Sequence, residues 1–381
     1  MKIAIVCYPT FGGSGVVATE LGKALSRSKG HEVHFITYSH PVRLDELGAH
    51  LRFHEVDVPQ YVLFRYQPYE LALSSKLVEV VQKHQIDLLH VHYAIPHAYA
   101  AYMARKMLED MGITLPIVTT LHGTDITLVG KNQLYKPAVT FSINHSDAVT
   151  AVSKSLKADT IKLFDIKQDI QVIPNFIDIQ KHLASNIQCN RSLIEPDLNK
   201  KIITHISNFR PLKRVVDVLK VFQKIKEQLP SKLLMVGHGP ERKKAYQYCK
   251  NRNLLNDVMF LGESSEIQKI LCASDLFLLP SESESFGLAA LEAMLHKVPV
   301  VSTNIGGLPE VNRHNYSGLT YPLGDIQAMA EGAIKILSNP QVHSKFQKQA
   351  FENAKRFDVN GVIRAYEKVY EKAVMKVRQS T

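Results

Sequence analysis

Residues 2–25 read KIAIVCYPTFGGSGVVATELGKAL. The run at 2–7 is short, apolar and broken at Tyr8-Pro9, which marks a first strand rather than a leader peptide. A glycine-rich turn follows, Gly12-Gly13-Ser14-Gly15. Residues 16–26 then space their apolar side chains as a helix does. A strand, a glycine turn and a helix make up the opening unit of a doubly wound α/β domain, and the rest of the chain repeats that alternation.

Short apolar, β-branched runs recur at 2–7, 32–37, 86–92, 117–121, 148–152 and 170–173, with helical stretches such as 16–26, 71–83 and 97–111 among them. The series restarts at 202–207, 232–236, 258–261, 276–279 and 298–302. Strands alternating with helices give parallel sheets covered on both faces. Two series give two Rossmann-like domains, at 1–174 and 175–357, joined where the chain turns irregular near Pro174-Asn175. From residue 341 the pattern is helical, with a break at 358–361. The last segment, 358–381, carries a helix with no strand of its own to cover, and we expect it to return to the first domain. There is no tandem repeat.

Composition agrees with two soluble cores. The chain has 381 residues, 45% hydrophobic and 22% charged, too many for one ordinary core. The net charge of +10 favours anionic partners: nucleic acid, an acidic membrane, or phosphorylated and carboxylated small molecules. No five like charges run together, and the densest basic patch is at 241–244. No apolar run reaches the length of a membrane span. Cys7, Cys189, Cys249 and Cys272 are scattered without paired spacing, which suits a reduced cytoplasm. Cys7 and Cys272 lie in apolar runs and read as core residues.

In doubly wound sheets ligands bind beyond the carboxyl ends of the strands, so the loops after strands carry the chemistry. Gly13-Ser14-Gly15-x-x-Ala18 fits the dinucleotide fingerprint, yet a nicotinamide site expects an acid at the end of the second strand. That strand ends Thr37-Tyr38-Ser39-His40, with no acid until Asp45. What remains is a helix start whose amides suit an anion, or a turn that simply needs glycine. The phosphate-cradling Gly-x4-Gly-Lys-Ser/Thr motif is absent. His90 and His92 share one face of a strand and raise a metal question, but the cysteines are too dispersed to complete a zinc set. His122-Gly123-Thr124 ends another strand and reads as a site edge.

In the second half, Arg210, Lys213 and Arg214 gather where a strand ends and a helix begins, with Asp217 in its first turn. Cations there oppose the helix dipole, and a bound di-anion gives them a reason. "MVGHGPE" at 235–241 adds a glycine exit at Gly237. "SESESFGLAALEAM" at 281–294 sets Glu284 in a turn and Glu292 inside an apolar helix, where a lone carboxylate is costly. The amides of Phe286, Gly287 and Leu288, with Ser285 before them, can cap a phosphate, while the two carboxylates can each accept from a sugar's vicinal hydroxyls. A nucleotide-sugar presents that combination. The other reading of Glu292 is an ion pair with Lys297 or His296.

With these residues in view the chain resembles the retaining glycosyltransferases of family 4, which have the two-domain GT-B fold facing a cleft. Glu284-x7-Glu292 looks like their nucleotide-sugar signature, and Arg210 with Lys213 like their diphosphate pair. The blocks "CYPTFGGSGVVATELGKAL", "HVHYAIPHAYAAY", "TTLHGTDITLVG", "SNFRPLKRVVDV" and "TNIGGLPEV" are similar to members of the family that serve bacillithiol biosynthesis. The resemblance implies a metal-independent transferase without a cofactor, carrying N-acetylglucosamine from UDP-N-acetylglucosamine to the hydroxyl of L-malate. It implies catalytic roles for Arg210, Lys213 and His122. Donor contacts would come from Gly15 and Gly237, and from Glu284 through Leu288 with Glu292. A small dianionic acceptor would be met by Ser14, Tyr93, Thr124 and Asn208. Small molecules are then the partners, with no nucleic acid and no stable membrane association; homo-oligomerisation is left open, as is a sugar or lipid-linked acceptor or, further off, a nicotinamide-dependent oxidoreductase. Two departures stand out. Leu295-His296-Lys297 replaces the family's Ala-Cys-Gly, which questions a left-handed helix cap, and His238 stands where an acid is common.

Overall fold

The computed structural model describes residues 1–10, 12–44, 47–59, 66–184, 189 and 191–379; Asp45 lies outside them. The chain divides into two units, Met1–Phe176 with Val359–Thr381, and Ile177–Asp358.

The first unit is built on seven strands: β1 (Lys2–Val6), β2 (Glu32–Thr37), β3 (Leu51–Glu55), β4 (Leu88–His92), β5 (Ile117–Leu121), β6 (Ala148–Ala151) and β7 (Ile170–Val172). They lie in the order β3-β2-β1-β4-β5-β6-β7, and every pairing is parallel. Central strands are buried on both faces, which is why β4 and β5 contain no exposed position. The helix Val359–Arg378 packs on β5, β6 and the first helix, Gly13–Lys29. Its Tyr370, fully buried, brings its hydroxyl 2.8 Å from His90 Nδ1, and the Tyr366 hydroxyl lies 3.3 Å from Thr120 Oγ1.

The second unit holds β8 (Lys201–Ile206), β9 (Ser231–Val236), β10 (Val258–Gly262), β11 (Leu276–Leu279), β12 (Val300–Thr303) and β13 (Gly318–Tyr321). Their order is β10-β9-β8-β11-β12-β13, again all parallel. Helix Val215–Lys226 buries Val215, Val218, Leu219, Phe222 and Ile225 against this sheet, a stripe with helical spacing. No helix among the described residues is long and apolar enough to cross a membrane.

Sequence reading missed β3 and β13 and placed the other strands to within about two residues. It also took the cysteines as unpaired and Cys272 as core. Cys272 is half-buried and is joined to Cys189 in a disulfide across 83 residues, with their Cα atoms 5.8 Å apart. A pairing made by tertiary folding leaves no spacing signature. Cys7 is buried as expected, and desolvation pushes its thiol up to about 12.

The helix cap left in question by the missing glycine is present. Helix Leu288–Leu295 is followed by Lys297 at φ 60°. The Val298 amide donates to the Ala293 carbonyl and the Lys297 amide to the Met294 carbonyl, both at 3.0 Å, the paired bonds of a Schellman motif. Lysine takes the left-handed conformation there at a steric cost of roughly 1–2 kcal/mol. Lys297→Gly is therefore expected to leave the midpoint of urea unfolding unchanged or higher. Lys297→Val, β-branched and worse suited to positive φ, should lower stability by about 1–2 kcal/mol.

Candidate active site

In each sheet the strand order reverses once, between β1 and β4 in the first unit and between β8 and β11 in the second. Loops leaving neighbouring strands there diverge, and ligands of doubly wound sheets bind in the crevice so formed. The predicted residues gather at these two points.

After β1, the helix Gly13–Lys29 begins without a side-chain cap; the amides of Gly13 and Ser14 have no partner within the helix, while that of Gly15 donates to the Gly12 carbonyl at 3.1 Å. Gly15 is required by close approach: a Cβ there would lie 2.5 Å from the carbonyl oxygens of both Tyr8 and Thr10. Beside it, the Tyr93 hydroxyl at the end of β4 donates to Ser14 Oγ at 2.6 Å. Tyr93 holds φ 88°, a strained setting of the kind that clusters at functional sites. Its ring lies 5.2 Å, centre to centre, from that of His122 after β5. Ser14, Tyr93 and His122 are thus brought together. Thr124 opens the next turn, Thr124–Leu128, and accepts the Val129 amide through its carbonyl at 2.9 Å.

His122 is buried, and His122 Nε2 lies 2.7 Å from His92 Nδ1. Burial, with His97 nearby, pulls His122 down to about 3. It is a neutral imidazole at neutral pH, one nitrogen of which is engaged with His92; it acts as a dipole, not as a cation. His90 is not arranged as a metal ligand. Its ring nitrogens meet two hydroxyls, Thr120 at 2.7 Å and Tyr370 at 2.8 Å.

Sequence reasoning missed Asp125. It is buried and accepts the backbone amides of Ala94 at 2.9 Å and Gly123 at 3.0 Å, tying the loops after β4 and β5 together. Burial raises its carboxyl to about 6 against the pull of those amides. The signal was available: an acid followed by an apolar run, the feature that singled out Glu292.

At the second reversal the loop after β8 carries Asn208, Arg210 and Lys213, and the loop after β11 carries Glu284. Lys213 Nζ lies 2.5 Å from Glu284 Oε2, with both side chains largely buried. Arg210 is exposed and joins no ion pair among the described residues. Arg214, grouped with these two in the sequence, is held instead by Asp217 at 2.6 Å, so its charge is spent on the helix start. Gly306, at φ 60°, lets the loop after β12 touch the Glu284 carbonyl, where a Cβ would come within 2.1 Å, and the Gly307 amide donates to the same carbonyl at 2.9 Å. Gly237 after β9 sits at φ 120° against Ser207, with His238 exposed beside it.

Helix Leu288–Leu295 starts behind Gly287, which holds φ 101°. Ser285 and Leu288 are half-buried, whereas the Phe286 ring is buried against Phe357, 5.5 Å between centres. Phe286 therefore offers the site its backbone, not its side chain. Glu292 is buried one turn into the helix. Lys297, weighed as its ion-pair partner, sets its ammonium 5.6 Å over the Phe351 ring instead.

Comparison with known proteins matches this geometry. Residues 11–181 fit the model of Glycosyltransferase Family 4, and residues 190–356 that of Glycosyl transferases group 1. The chain is 45% identical to N-acetyl-alpha-D-glucosaminyl L-malate synthase of Bacillus anthracis, covering 97% of this chain and 96% of that one. It is 27% identical to 2-deoxystreptamine N-acetyl-D-glucosaminyltransferase of Niallia circulans, over 68% of this chain and 69% of the other. Among solved structures, Anabaena HepE in complex with UDP and glucose superposes with a TM-score of 0.79 at 22% identity, covering 97% of this chain and 99% of that one. WaaG, a glycosyltransferase of lipopolysaccharide biosynthesis, does so with a TM-score of 0.75 at 15% identity, over 97% and 99%. Two all-parallel Rossmann-like units, polar groups gathered at their order reversals and a full-length relative at this identity lead to one conclusion: the chain belongs to the family 4 glycosyltransferases and has the GT-B fold.

Proposed function

We propose that this chain is a retaining, UDP-sugar-dependent hexosyltransferase that moves N-acetylglucosamine from UDP-N-acetylglucosamine to the hydroxyl of L-malate, the first step of bacillithiol biosynthesis. The observation that carries the reading is the near full-length similarity to an L-malate synthase of that type. The reading places the enzyme in the cytoplasm with its soluble substrates.

The donor belongs at the second unit's reversal point. The first-turn amides of Leu288–Leu295 and the side chains of Arg210 and Lys213 meet the diphosphate. Glu284 accepts from the sugar hydroxyls and Glu292 from the ribose. In transfer the bond from the anomeric carbon to the diphosphate oxygen breaks, and a bond to the malate oxygen forms on the same face. The malate hydroxyl proton passes to the departing diphosphate oxygen. Negative charge grows on the diphosphate, so cations fixed beside it stabilise the transition state more than the ground state. His122, neutral, offers a hydrogen-bonding dipole at the first unit's reversal point. Arg210 and Lys213 fill the role a metal ion would have, and the reaction is metal-independent.

Malate is a dianion, and the first unit's reversal point has the groups to hold it: the amides of Gly13 and Ser14 at the helix start and the hydroxyls of Ser14, Tyr93 and Thr124.

UDP release measured with and without malate, in EDTA, tests the reading. Malate-dependent release that survives chelation is expected. No release with malate would overturn the acceptor, and abolition by EDTA with recovery in magnesium or manganese would overturn metal independence. In the same assay Lys213→Ala should lower turnover by about 10²–10³-fold, the scale for removing one group aimed at developing charge, with a smaller effect on donor affinity. Loss of affinity alone would make Lys213 a ground-state binder. Ser14→Ala and Thr124→Val should each raise the Michaelis constant for malate by roughly 2–10-fold, the equivalent of one neutral hydrogen bond, and spare that for the donor. A donor effect with malate unchanged would move the acceptor site elsewhere.

A further inference from the structure

Three histidines converge at the β2–β3 edge of the first unit's sheet. His34 lies on β2, His54 on β3, and His84 is the last residue of helix Tyr69–His84. One ring nitrogen from each lies within 4.8 Å of the other two. His34 is fully buried; His54 and His84 are half-buried at the rim. His34 Nδ1 and His54 Nε2 are 2.8 Å apart in nearly coplanar rings, and the His84 ring tilts across both, 4.7 and 4.9 Å away between centres.

The other nitrogen of His34 is also placed. His34 Nε2 lies 3.2 Å from Glu32 Oε1, and the same oxygen accepts from Arg52 Nε at 2.7 Å. A carboxylate behind a histidine, fixing its tautomer so that the opposite nitrogen faces inward with its lone pair, is the outer shell of histidine metal sites. Of the cations around the cluster, Arg52 is paired with Glu32, Lys76 with Glu79 at 2.9 Å, and Lys2 Nζ donates to the His84 carbonyl at 2.9 Å, while Lys83 lies next to His84. The carboxyl end of the helix adds a negative dipole that favours a cation.

We propose that His34, His54 and His84 form a transition-metal site of zinc type, with Glu32 as its orienting partner. Three imidazoles with one further position open to water suit zinc, and the nitrogen set also suits cobalt, nickel or copper. Zinc–nitrogen bonds of about 2.0–2.1 Å in a tetrahedron set ligand nitrogens roughly 3.3 Å apart. His34 and His54 must therefore open slightly and His84 close in, movements that side chains at a strand edge and a helix end can make. The ion would fasten the end of helix Tyr69–His84 to the edge pair β2–β3. The site is independent of the transferase reading.

The test uses the full chain without an affinity tag, stripped of metal and moved to chelator-free buffer, and titrates it with Co²⁺. One equivalent is expected to give a visible absorption band that Zn²⁺ displaces, with a rise in the unfolding midpoint. Because the chain has 17 histidines, the reading is the difference from variants. His54→Gln and His84→Gln should lose the band, and Glu32→Gln should weaken binding by about 10–100-fold, the scale for losing such a partner. Far-ultraviolet circular dichroism and a cooperative thermal transition of each variant show that it has folded. No saturable band in the unsubstituted chain, or a band that survives both histidine substitutions, overturns the proposal.

Discussion

Parallel strands cannot be joined by a tight turn; each connection must cross over, and it does so with one hand. A chain that winds first to one side of its opening strand and then to the other has to reverse once. At that point the two flanking loops separate. The groupings at the candidate active site follow from having two such reversals, at β1/β4 and at β8/β11. Ser14 and Tyr93 flank the first, Lys213 and Glu284 the second. Residues 79 and 71 apart in sequence are set within a hydrogen bond of each other by this winding.

The Lys213–Glu284 pair has an energetic consequence. Both side chains are about one-sixth exposed, at 17% and 16%. Removing either leaves a poorly solvated charge without its counterion, which costs several times what an exposed pair is worth. The pair holds a cation and a carboxylate within a bond length of each other beside a helix N-terminus. That juxtaposition suits a ligand with a phosphate at one end and hydroxyls at the other.

Most strands were legible because central parallel strands are buried on both faces and therefore read as continuous apolar runs. The two that were missed, β3 and β13, are edges. An edge strand faces one neighbour and partly faces water, so Leu51–Glu55 mixes Arg, His and Glu with its apolar residues, and Gly318–Tyr321 opens on glycine. Neither offers a run to detect. The Cys189–Cys272 bond, the three-histidine cluster and the His92–His122 contact share a different reason: each is made by residues that only the fold brings together. The buried setting of Glu292 was legible for the opposite cause, since an acid inside an apolar helix is a local contradiction that can be seen in one dimension. Asp125 presents a milder form of that contradiction and was passed over.

Backbone strain sorts along the same lines. Helix ends account for Gly30, Gln85 and Lys297, where a left-handed residue closes the last turn. Tyr93, Phe209, Arg214, Gly123, Gly237, Gly287 and Gly306 are of another kind, for each follows a strand at its carboxyl end. Three of these are not glycine, and each such residue costs of order 1–3 kcal/mol that neighbouring packing must offset. Tyr93 shows how: its amide donates to the Thr120 carbonyl at 2.9 Å, its hydroxyl reaches Ser14, and Asp125 clamps the following Ala94. A loop held by three separate anchors is fixed before any ligand arrives. Pre-organisation of that sort lowers the ordering cost of binding, and it makes Asp125, which need touch no substrate, the residue on which the geometry of Tyr93 and His122 together depends.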